Sequence, residues 1–379
     1  MQIRTALPTD TQKLKPLWQY CFGYSEPFLS WSFERNSIPA NELVAEENGV
    51  IAASARISPY AVSLCSQAVS AAYLSGICVA PQMRGRGLFR TMLGESISMM
   101  RERGNVVSLV IPHDYNTFEK FGWRTCYFYK QYQLKPSDIP AYPLGGRIVP
   151  YTLNDTNYEP FQTVYSAFTS DKNGYIRRTP ETWRLIMEDV LHNFGGHCVL
   201  FYDDNGQPCG YILYLLHGSS LQVYELAYTN RSAYKSLMAY LKSHASQAES
   251  ISIKAPTSDL SHFDFCNNRS AVSLYPFVMA RITDVRAALL IASNNFSGST
   301  SLQVIDRFIP ANNGTFLVTH GDVQSTDAPA DATLDIGTLS QLFCGALSPH
   351  EAQALDLVDG ALPSGLFYKQ SNFISMLFN

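Results

Sequence analysis

The stretch Gly76-Ile-Cys-Val-Ala-Pro-Gln-Met-Arg-Gly-Arg-Gly-Leu-Phe-Arg90 decides the fold, because it joins a strand to a helix through a glycine turn. The apolar run at 73–79 predicts the strand, and apolar residues at three- and four-residue spacing predict an amphipathic helix over about 87–103. Glycine permits a positive φ and removes the Cβ that would block a ligand. The first amides of such a helix are unpaired and stand at the positive end of its dipole. The turn therefore predicts an anion site suited to a pyrophosphate.

Three arginines, Arg84, Arg86 and Arg90, add positive charge to this turn in a chain of 379 residues whose net charge is −4. The motif is not a Walker A loop, because no Gly-Lys-Ser/Thr follows, and it lacks the third glycine of a dinucleotide fingerprint. The alternative is a glycine turn followed by a solvated helix face. The strand before the turn and the helix after it favour the anion site.

Composition excludes several other classes of protein. A hydrophobic fraction of 46% is typical of globular chains, and the negative net charge without a basic arm argues against nucleic acid as a partner. No apolar run approaches the ~20 residues of a membrane span. Because the first residues also lack the apolar core of a signal peptide, we expect a cytoplasmic protein. Charged residues make up 16%, below the ~25% of typical soluble domains, so we expect a homo-oligomer.

The cysteines and histidines give no metal-site spacing. There are 8 of each, scattered along the chain without a CxxC or an HExxH. We therefore expect no metal, and most of the cysteines to be small buried hydrophobic residues.

The chain is predicted to be of the α/β (α+β) class, with three segments at 1–145, 146–283 and 284–379. A run rich in proline and glycine follows a strand at 127–134 and ends the first segment. Within that segment, Pro59 is expected to separate two strands, because proline does not continue a central strand. The second segment repeats the element order of the first, which indicates an internal duplication. The third is predicted to be a compact, acidic α+β module.

Two motifs carry a resemblance to a known family. Gln82-Met-Arg-Gly-Arg-Gly87 resembles the Q/R-x-x-G-x-G/A acetyl-CoA motif of the GNAT N-acetyltransferases, and Phe118-Glu-Lys-Phe-Gly-Trp123 resembles the aromatic element that follows the next strand in that fold. The whole chain is similar to the Eis-type (enhanced intracellular survival) enzymes, in which two GNAT-like units precede a sterol-carrier-protein-like domain. The resemblance implies an acetyl-CoA site in 1–145, a degenerate GNAT-like unit in 146–283 and the carrier-like domain in 284–379.

The resemblance also implies an activity, the acetyl-CoA-dependent transfer of an acetyl group to a primary amine by direct attack, and the residues that carry it. Backbone groups of Ile77, Cys78 and Val79 would bind the pantetheine and the acetyl carbonyl. The pyrophosphate would be bound by the turn and the start of the helix, which are Arg84, Gly85, Arg86, Gly87, Leu88, Phe89 and Arg90. The implied base is the C-terminal carboxylate of Asn379.

The acid departs from the family pattern, because the family's tyrosine falls on Phe118, which cannot donate a proton. We assign the acid to Tyr115, with His113 and Asp114 as alternatives. The acceptor would be an aminoglycoside, a lysine side chain or a similar cation. Aromatic residues near acidic ones suit such cations through cation–π contact; they are Trp18, Phe22, Tyr24, Phe28, Trp31 and Phe33, near Glu26 and Glu34.

Two other functions are compatible with the sequence. A non-catalytic CoA-binding scaffold is the alternative that Phe118 leaves open. A lipid-binding carrier is the alternative suggested by the third segment.

Overall fold

A computed structural model describes residues 1–24, 26–265 and 271–375. The chain forms two compact units, one of Met1–Cys126 with Val278–Gln370, and one of Tyr127–Phe277 with the chain from Ser371 onward.

The first 126 residues alternate between strands and helices. The strands are β1 Gln2–Thr5, β2 Glu42–Glu47, β3 Val50–Leu64, β4 Gln67–Val79, β5 Val107–Val110 and β6 Arg124–Thr125. The helices are α1 Thr11–Phe22, α2 Phe28–Glu34, α3 Leu88–Glu102 and α4 Tyr115–Glu119. The predicted strand–turn–helix is confirmed as β4, the glycine turn and α3.

Residues 127–277 repeat this alternation. Their strands are β7 Phe128–Leu134, β8 Arg147–Tyr151, β9 His197–Tyr202, β10 Pro208–His217, β11 Ser220–Tyr228, β12 Ser250–Ala255 and β13 Ala271–Pro276. Their helices are α5 Glu159–Thr169, α6 Pro180–Glu188 and α7 Arg231–Lys242.

The remaining part contains the third predicted module. Its strands are β14 Met279–Ile282, β15 Ser299–Ile305, β16 Gly314–Thr319, β17 Asp322–Ser325, β18 Ala332–Asp335 and β19 Val358–Gly360. Its helices are α8 Val285–Ser293, α9 Ile336–Phe343 and α10 Pro349–Ala354.

The first unit is built on a sheet with the strand order β1-β2-β3-β4-β5-β14-β6. Helix α3 covers one face, where Met92 and Ile97 are fully buried. Helices α1 and α2 contribute Leu14 and Leu29 to a separate apolar cluster. Apolar residues at helical spacing therefore form a three-layer arrangement of helix, sheet and helix.

A smaller sheet with the order β17-β16-β15-β18-β19 completes this unit. A buried ion pair joins it to the first sheet: Arg281 on β14 donates to the Asp306 carboxylate, and both side chains are fully buried. Arg281 also donates to the Phe121 carbonyl, so the module is fixed beside the aromatic element 118–123.

The second unit contains a sheet with the order β13-β7-β12-β11-β10-β9-β8. Strands β11 and β12 pair in parallel, as β4 and β5 do in the first unit. The predicted mixed α/β class with duplicated sheet–helix units is confirmed.

Sheet membership does not follow chain order. The strand predicted at 127–134 forms as β7, but it pairs with β12 and β13 of the second sheet, because its buried side chains Tyr132 and Leu134 belong to the core of that sheet. Conversely, β14 lies in the first sheet between β5 and β6.

The expected break at Pro59 is wrong, since β3 is continuous over Val50–Leu64. Within the described residues, β2 pairs with β3 only as far as Arg56. Beyond that point β3 has β4 as its neighbour, with Pro59 opposite Ala72. A proline is tolerated where a strand has a partner on one side only.

Across the described ranges, no helix is long and apolar enough to cross a membrane.

Candidate functional site

The site begins where two parallel strands of the first sheet separate. Residues 71–73 of β4 pair with residues 107–109 of β5. Strand β5 ends at Val110, whereas β4 continues to Val79. The last six residues of β4 therefore extend beside a gap in the sheet.

A β-bulge at Gly76 shapes this extension. The register with β3 shifts between Ser54 and Arg56, so that Gly76 and Ile77 lie opposite one residue. Gly76 has a φ of +56°, and a Cβ built on it would lie 2.0 Å from a ring carbon of Trp18. The indole is held there because its Nε1 donates to Ser54 Oγ at 3.0 Å.

The turn after β4 presents backbone amides to solvent. Gly85 and Gly87 have φ values of +76° and +78°, and a Cβ on either would meet no atom within 4 Å. Gly87 is the N-cap of α3, and among the described residues no side chain caps this helix. The first amides of α3 therefore have no capping side chain and are available to an anion.

The three arginines of the turn are exposed but differ in what they contact. Arg84 Nε donates to the Val79 carbonyl at 3.1 Å, which closes the turn onto the end of β4. Arg86 reaches back along the turn, with Nη1 3.8 Å from the sulfur of Met83. Arg90 stacks over Phe308, in the connection between β15 and β16, at 4.9 Å. Arg84 and Arg86 thus stand at the turn itself, while Arg90 packs against the carrier-like module.

The other predicted cofactor residues lie on both sides of this turn. Ile77 is half-buried, and Cys78 and Val79 are buried at the end of β4. Leu88 is buried in the core, so only its backbone can face a ligand. Phe89 is half-buried and contacts Phe118 edge-on at 6.0 Å.

The candidate acids cluster around the start of α4. The Asp114 carboxylate accepts hydrogen bonds from Thr117 Oγ1 at 2.7 Å and from the Asn116 amide at 3.2 Å. These bonds lower the pKa of Asp114, so it is a poor proton donor. Phe118 is 6% exposed and packs edge-on against Trp123. Tyr115 is half-buried and packs against the apolar cluster that contains the α3 residues. Its phenol hydroxyl can donate a proton, which Phe118 cannot do.

The aromatic group of the first segment divides into a core part and an accessible part. Trp18, Trp31 and Phe33 are at most 5% exposed, and the guanidinium of Arg56 already stacks over Trp18 at 4.4 Å and over Phe33 at 5.0 Å. The partly exposed rings are Phe22, Tyr24 and Phe28. The exposed His113 stacks on Phe22 at 6.4 Å.

The corresponding helix of the second unit offers no comparable anion site. The Asn230 side chain caps α7 by accepting from the Ala233 amide at 3.0 Å. Where β11 and β12 separate after Val223 and Ile253, residues 373–375 line the pocket. That the second unit does not bind CoA stays a prediction.

The predicted base, Asn379, lies outside the described residues. The chain before it is anchored within the second unit, because the Phe373 amide donates to the Asn173 carbonyl at 2.9 Å and Asn372 accepts from the Asn173 side chain at 2.8 Å. Ile374 is 7% exposed.

Comparisons with known proteins identify the family. Models of the acetyltransferase (GNAT) domain match residues 2–126 and 174–282, and a sterol carrier protein domain model matches residues 271–368. An uncharacterized N-acetyltransferase of Streptomyces avermitilis is 25% identical over 350 residues, which cover 85% of this chain and 82% of the relative. The N-acetyltransferase Eis of Mycobacterium tuberculosis is 26% identical over 300 residues, which cover 74% and 72%. The chain belongs to the Eis-type GNAT N-acetyltransferases.

The fold of this Eis-type enzyme is shared with solved structures. The crystal structure of Eis1 from Mycobacterium abscessus superposes with a TM-score of 0.80 over 100% of both chains, at 18% identity. At that identity the likeness concerns the fold alone.

GNAT acetyltransferases use acetyl-CoA as the acyl donor, and the open turn of this Eis-type enzyme has the features that such a ligand needs. Within the described part of the chain, no group of three or more His, Cys, Asp or Glu side chains is placed to hold a metal.

Sequence reasoning missed two features of the site in this Eis-type enzyme. One is the contact of Trp18 with Gly76, although a glycine inside a strand signals a bulge or a close approach. The other is the bond from Arg84 to the Val79 carbonyl, which leaves no signal in the sequence because it depends on how the turn folds back.

Proposed function

We propose that this Eis-type enzyme transfers the acetyl group of acetyl-CoA to a primary amine by direct attack of the amine on the thioester. The observation that carries the proposal is the uncapped N-terminus of α3, which follows the freed end of β4 through two glycines of positive φ. Open amides bind a pyrophosphate, and a freed strand end provides backbone groups for an extended ligand.

Each end of the donor would have its own set of groups. The Arg84 amide already donates to the Pro81 carbonyl, so the amides of residues 85–90 and the guanidinium groups of Arg84 and Arg86 would hold the pyrophosphate. Residues 77–79 would hold the pantetheine through their backbone. The Ala80 amide donates to the Ala52 carbonyl of β3, so strand alternation turns the backbone groups of Val79 away from β3.

The transfer requires a base and an acid. The attacking amine must be neutral, and we assign the removal of its proton to the carboxylate of Asn379. We assign protonation of the departing thiolate to Tyr115, since Asp114 is held as a carboxylate and Phe118 has no exchangeable proton.

The acceptor would be a cationic amine, such as an aminoglycoside or a lysine side chain. Phe22, Tyr24 and Phe28 are the partly exposed members of the aromatic group. Ring faces of this kind attract ammonium groups. Arg56 already occupies the buried rings, which limits the acceptor to the accessible part.

We also propose a homo-oligomer. Strand β13 is an edge strand of the second sheet and exposes Val272, Leu274 and Tyr275 by 43–61%. An apolar edge of this kind is a liability unless another chain covers it.

The test is release of free thiol from acetyl-CoA with a panel of aminoglycosides, polyamines and lysine peptides. We expect turnover with at least one amine and a large loss when Asn379 is deleted, because the carboxylate then moves by a whole residue. Asn379→Ala is the matched control, since it keeps the terminal carboxylate in place. Equal loss in both variants would mean that the side chain and not the carboxylate matters.

Tyr115→Phe tests the acid. We expect kcat to fall by about a hundredfold, at the lower end of the usual contribution of a general acid, and the basic limb of the pH profile to disappear. Phe118→Tyr serves as the comparison. An unchanged profile in Tyr115→Phe together with a gain in Phe118→Tyr would place the donor at position 118 and reject Tyr115.

A further inference from the structure

Two cysteines lie in contact beside the glycine turn. Cys21 is in the last turn of α1 and is half-buried, and Cys78 is near the end of β4 and is 6% exposed. Cys78 belongs to a buried apolar cluster against which Cys21 packs, and both are free thiols. They are far apart in the sequence, so only the packing of α1 on β4 brings them together.

The turn supplies a cation to one of these thiols. Arg84 Nη2 lies 3.9 Å from Cys21 Sγ, and the same arginine is held by its bond to the Val79 carbonyl. Cys21 Sγ itself is 3.8 Å from that carbonyl. A guanidinium fixed at this distance stabilises a thiolate more than a thiol.

The two cysteines therefore have different chemical states. The hydrogen bond with Cys78, followed by Arg84, lowers the pKa of Cys21 below its ordinary value of 9.0. The hydrogen bond with Cys21, followed by burial, raises the pKa of Cys78 well above that value. Cys78 is also 3.3 Å from Ser54 Oγ, which fixes its position. Cys21 is the partly accessible thiol beside the Arg84 guanidinium, and Cys78 is its buried neighbour.

A second pair in the same unit provides a comparison. Cys65 and Cys344 interact electrostatically, but burial is the main cause that raises the pKa of Cys65 to about 12. Cys65 Sγ is 3.8 Å from the Phe343 carbonyl. Both pairs therefore bring two thiols close together. They differ in that Cys21 is next to the Arg84 guanidinium, which favours a thiolate, whereas Cys65 is next to a carbonyl.

We propose that Cys21 is a thiol-modification site that reacts with low-molecular-weight disulfides and that Cys78 resolves the adduct to a reversible Cys21–Cys78 disulfide. The Cys21 thiolate attacks one sulfur of a disulfide RS–SR, the S–S bond breaks, and RS⁻ leaves. Cys78 then gives up its proton to solvent and attacks Cys21 Sγ, which releases the second RS⁻. The small disulfide is reduced to two thiols, and the two cysteines are oxidised to one disulfide.

The position of this disulfide has a consequence for the turn. It removes the thiolate that Arg84 faces and ties the end of α1 to the strand that leads into the glycine turn. We expect weaker acetyl-CoA binding in the oxidised protein; this part rests on the proposed function, whereas formation of the disulfide does not.

The experiment treats the native full-length protein with coenzyme A disulfide or with oxidised glutathione, followed by alkylation and peptide mass mapping. We expect a linked Cys21–Cys78 peptide that dithiothreitol reverses. A faster reaction with coenzyme A disulfide would indicate that the site is specific for disulfides of coenzyme A. Equal rates would indicate that it reacts with small disulfides in general.

Variants make the order of steps testable. Cys78→Ala should stop the reaction at the mixed disulfide on Cys21, and Cys21→Ser should give neither product. Cys65→Ser is the matched control and should react as the parent does. The proposal is overturned if Cys21 in the parent remains alkylatable after exposure to excess disulfide, or if the linked peptide contains Cys65 and Cys344. Since mapping on the parent needs no variant, a folding defect in Cys78→Ala would not hide this outcome.

Acetyl-CoA binding is measured separately by calorimetry on reduced and oxidised protein. Linked cysteines with unchanged binding would reject the effect on the turn but keep the modification site. Absence of acetyl-CoA binding in the reduced protein would count against the proposed function and leave the disulfide chemistry standing.

Discussion

At the scale of single residues, the site depends on side chains that fix the backbone rather than on those that face a ligand. The Trp18 ring fills the space that a side chain at Gly76 would need. The Ser54 hydroxyl fixes both residues, because it accepts a hydrogen bond from the Trp18 indole and donates one to the Gly76 carbonyl at 3.1 Å. Arg84 performs the same role at the next bend of the chain. The direction of β4 into the gap is therefore set by contacts on the α1 side of the sheet.

Gly76→Ala tests this arrangement. The new Cβ would overlap the Trp18 ring, and the φ of +56° is unfavourable for alanine, so we expect a loss of roughly 2–4 kcal/mol in the free energy of unfolding. Gly23→Ala is the control, because Gly23 has a φ of +72° with no atom near its Cβ position. Urea unfolding followed by tryptophan fluorescence measures both. Equal losses would show that backbone strain alone matters and that Trp18 can move.

A buried acid in the second unit predicts a pH dependence. Asp189 lies in a π-helical turn, Asp189–Asn193, and burial raises its pKa from 3.8 to about 7. Because the folded state holds this proton more tightly, the stability that the group contributes is fully present below pH 4 and is lost as the pH rises through 7.

Asp189→Asn should therefore be more stable than the parent at pH 8, by more than about 1 kcal/mol, and should show little gain at pH 3.5, where the carboxyl of the parent is protonated in both states. An asparagine can also donate to Asn193 Oδ1, which lacks a hydrogen-bond partner among the described residues. Urea unfolding at the two pH values is the measurement. A gain that is the same at both would mean that the carboxylate is not the cause.

At the scale of elements, the two ends of helix α3 differ in how their backbone groups are hydrogen-bonded. Gly87 at its start and Gly104 after its end both have positive φ and open space at the Cβ position. The end of the helix closes by ordinary backbone bonds, with the Gly104 amide donating to the Arg101 carbonyl at 2.9 Å. The start leaves its amides open, and for this reason we propose it as the binding end.

Gly87→Ala and Gly104→Ala form a matched pair. Both should lose about 1 kcal/mol of stability from the strained φ. Only Gly87→Ala should raise the KM for acetyl-CoA, by about tenfold, which corresponds to about 1.4 kcal/mol of lost binding. Steady-state kinetics on both variants measures this. A similar KM in the two would remove the turn from the binding site.

At the scale of the whole molecule, the exposed edge at β13 predicts self-association. Leu274→Lys places a charge on this edge, where the parent side chain is 61% exposed. We expect the variant to sediment as a smaller species than the parent, without loss of fold. Leu153→Lys, at another site that is 49% exposed, is the control. A parent that sediments as a monomer at micromolar concentration would reject the oligomer.

The strand and the helix that form the site could be predicted from the sequence, but the strands with which they pair and the side chains that they contact could not. The strand before Gly85 and the helix after Gly87 follow from local periodicity, and both are confirmed. The sheets that β7 and β14 join could not be predicted, because each strand lies at a boundary between the two units and is adjacent in sequence to both. The proximity of Cys21 and Cys78 was missed because it depends on the non-local packing of α1 on β4.

The place of β14 in the first sheet also affects how the chain folds during synthesis. Strand β5 is buried along its whole length between β4 and β14. At ribosomal rates of about 5–20 residues per second, the chain between Val110 and Met279 takes on the order of ten to thirty seconds to emerge. For that time β5 is an apolar edge without its second neighbour, able to pair with other nascent chains. We therefore expect the newborn polypeptide to depend on ribosome-associated chaperones until residue 282 has left the exit tunnel.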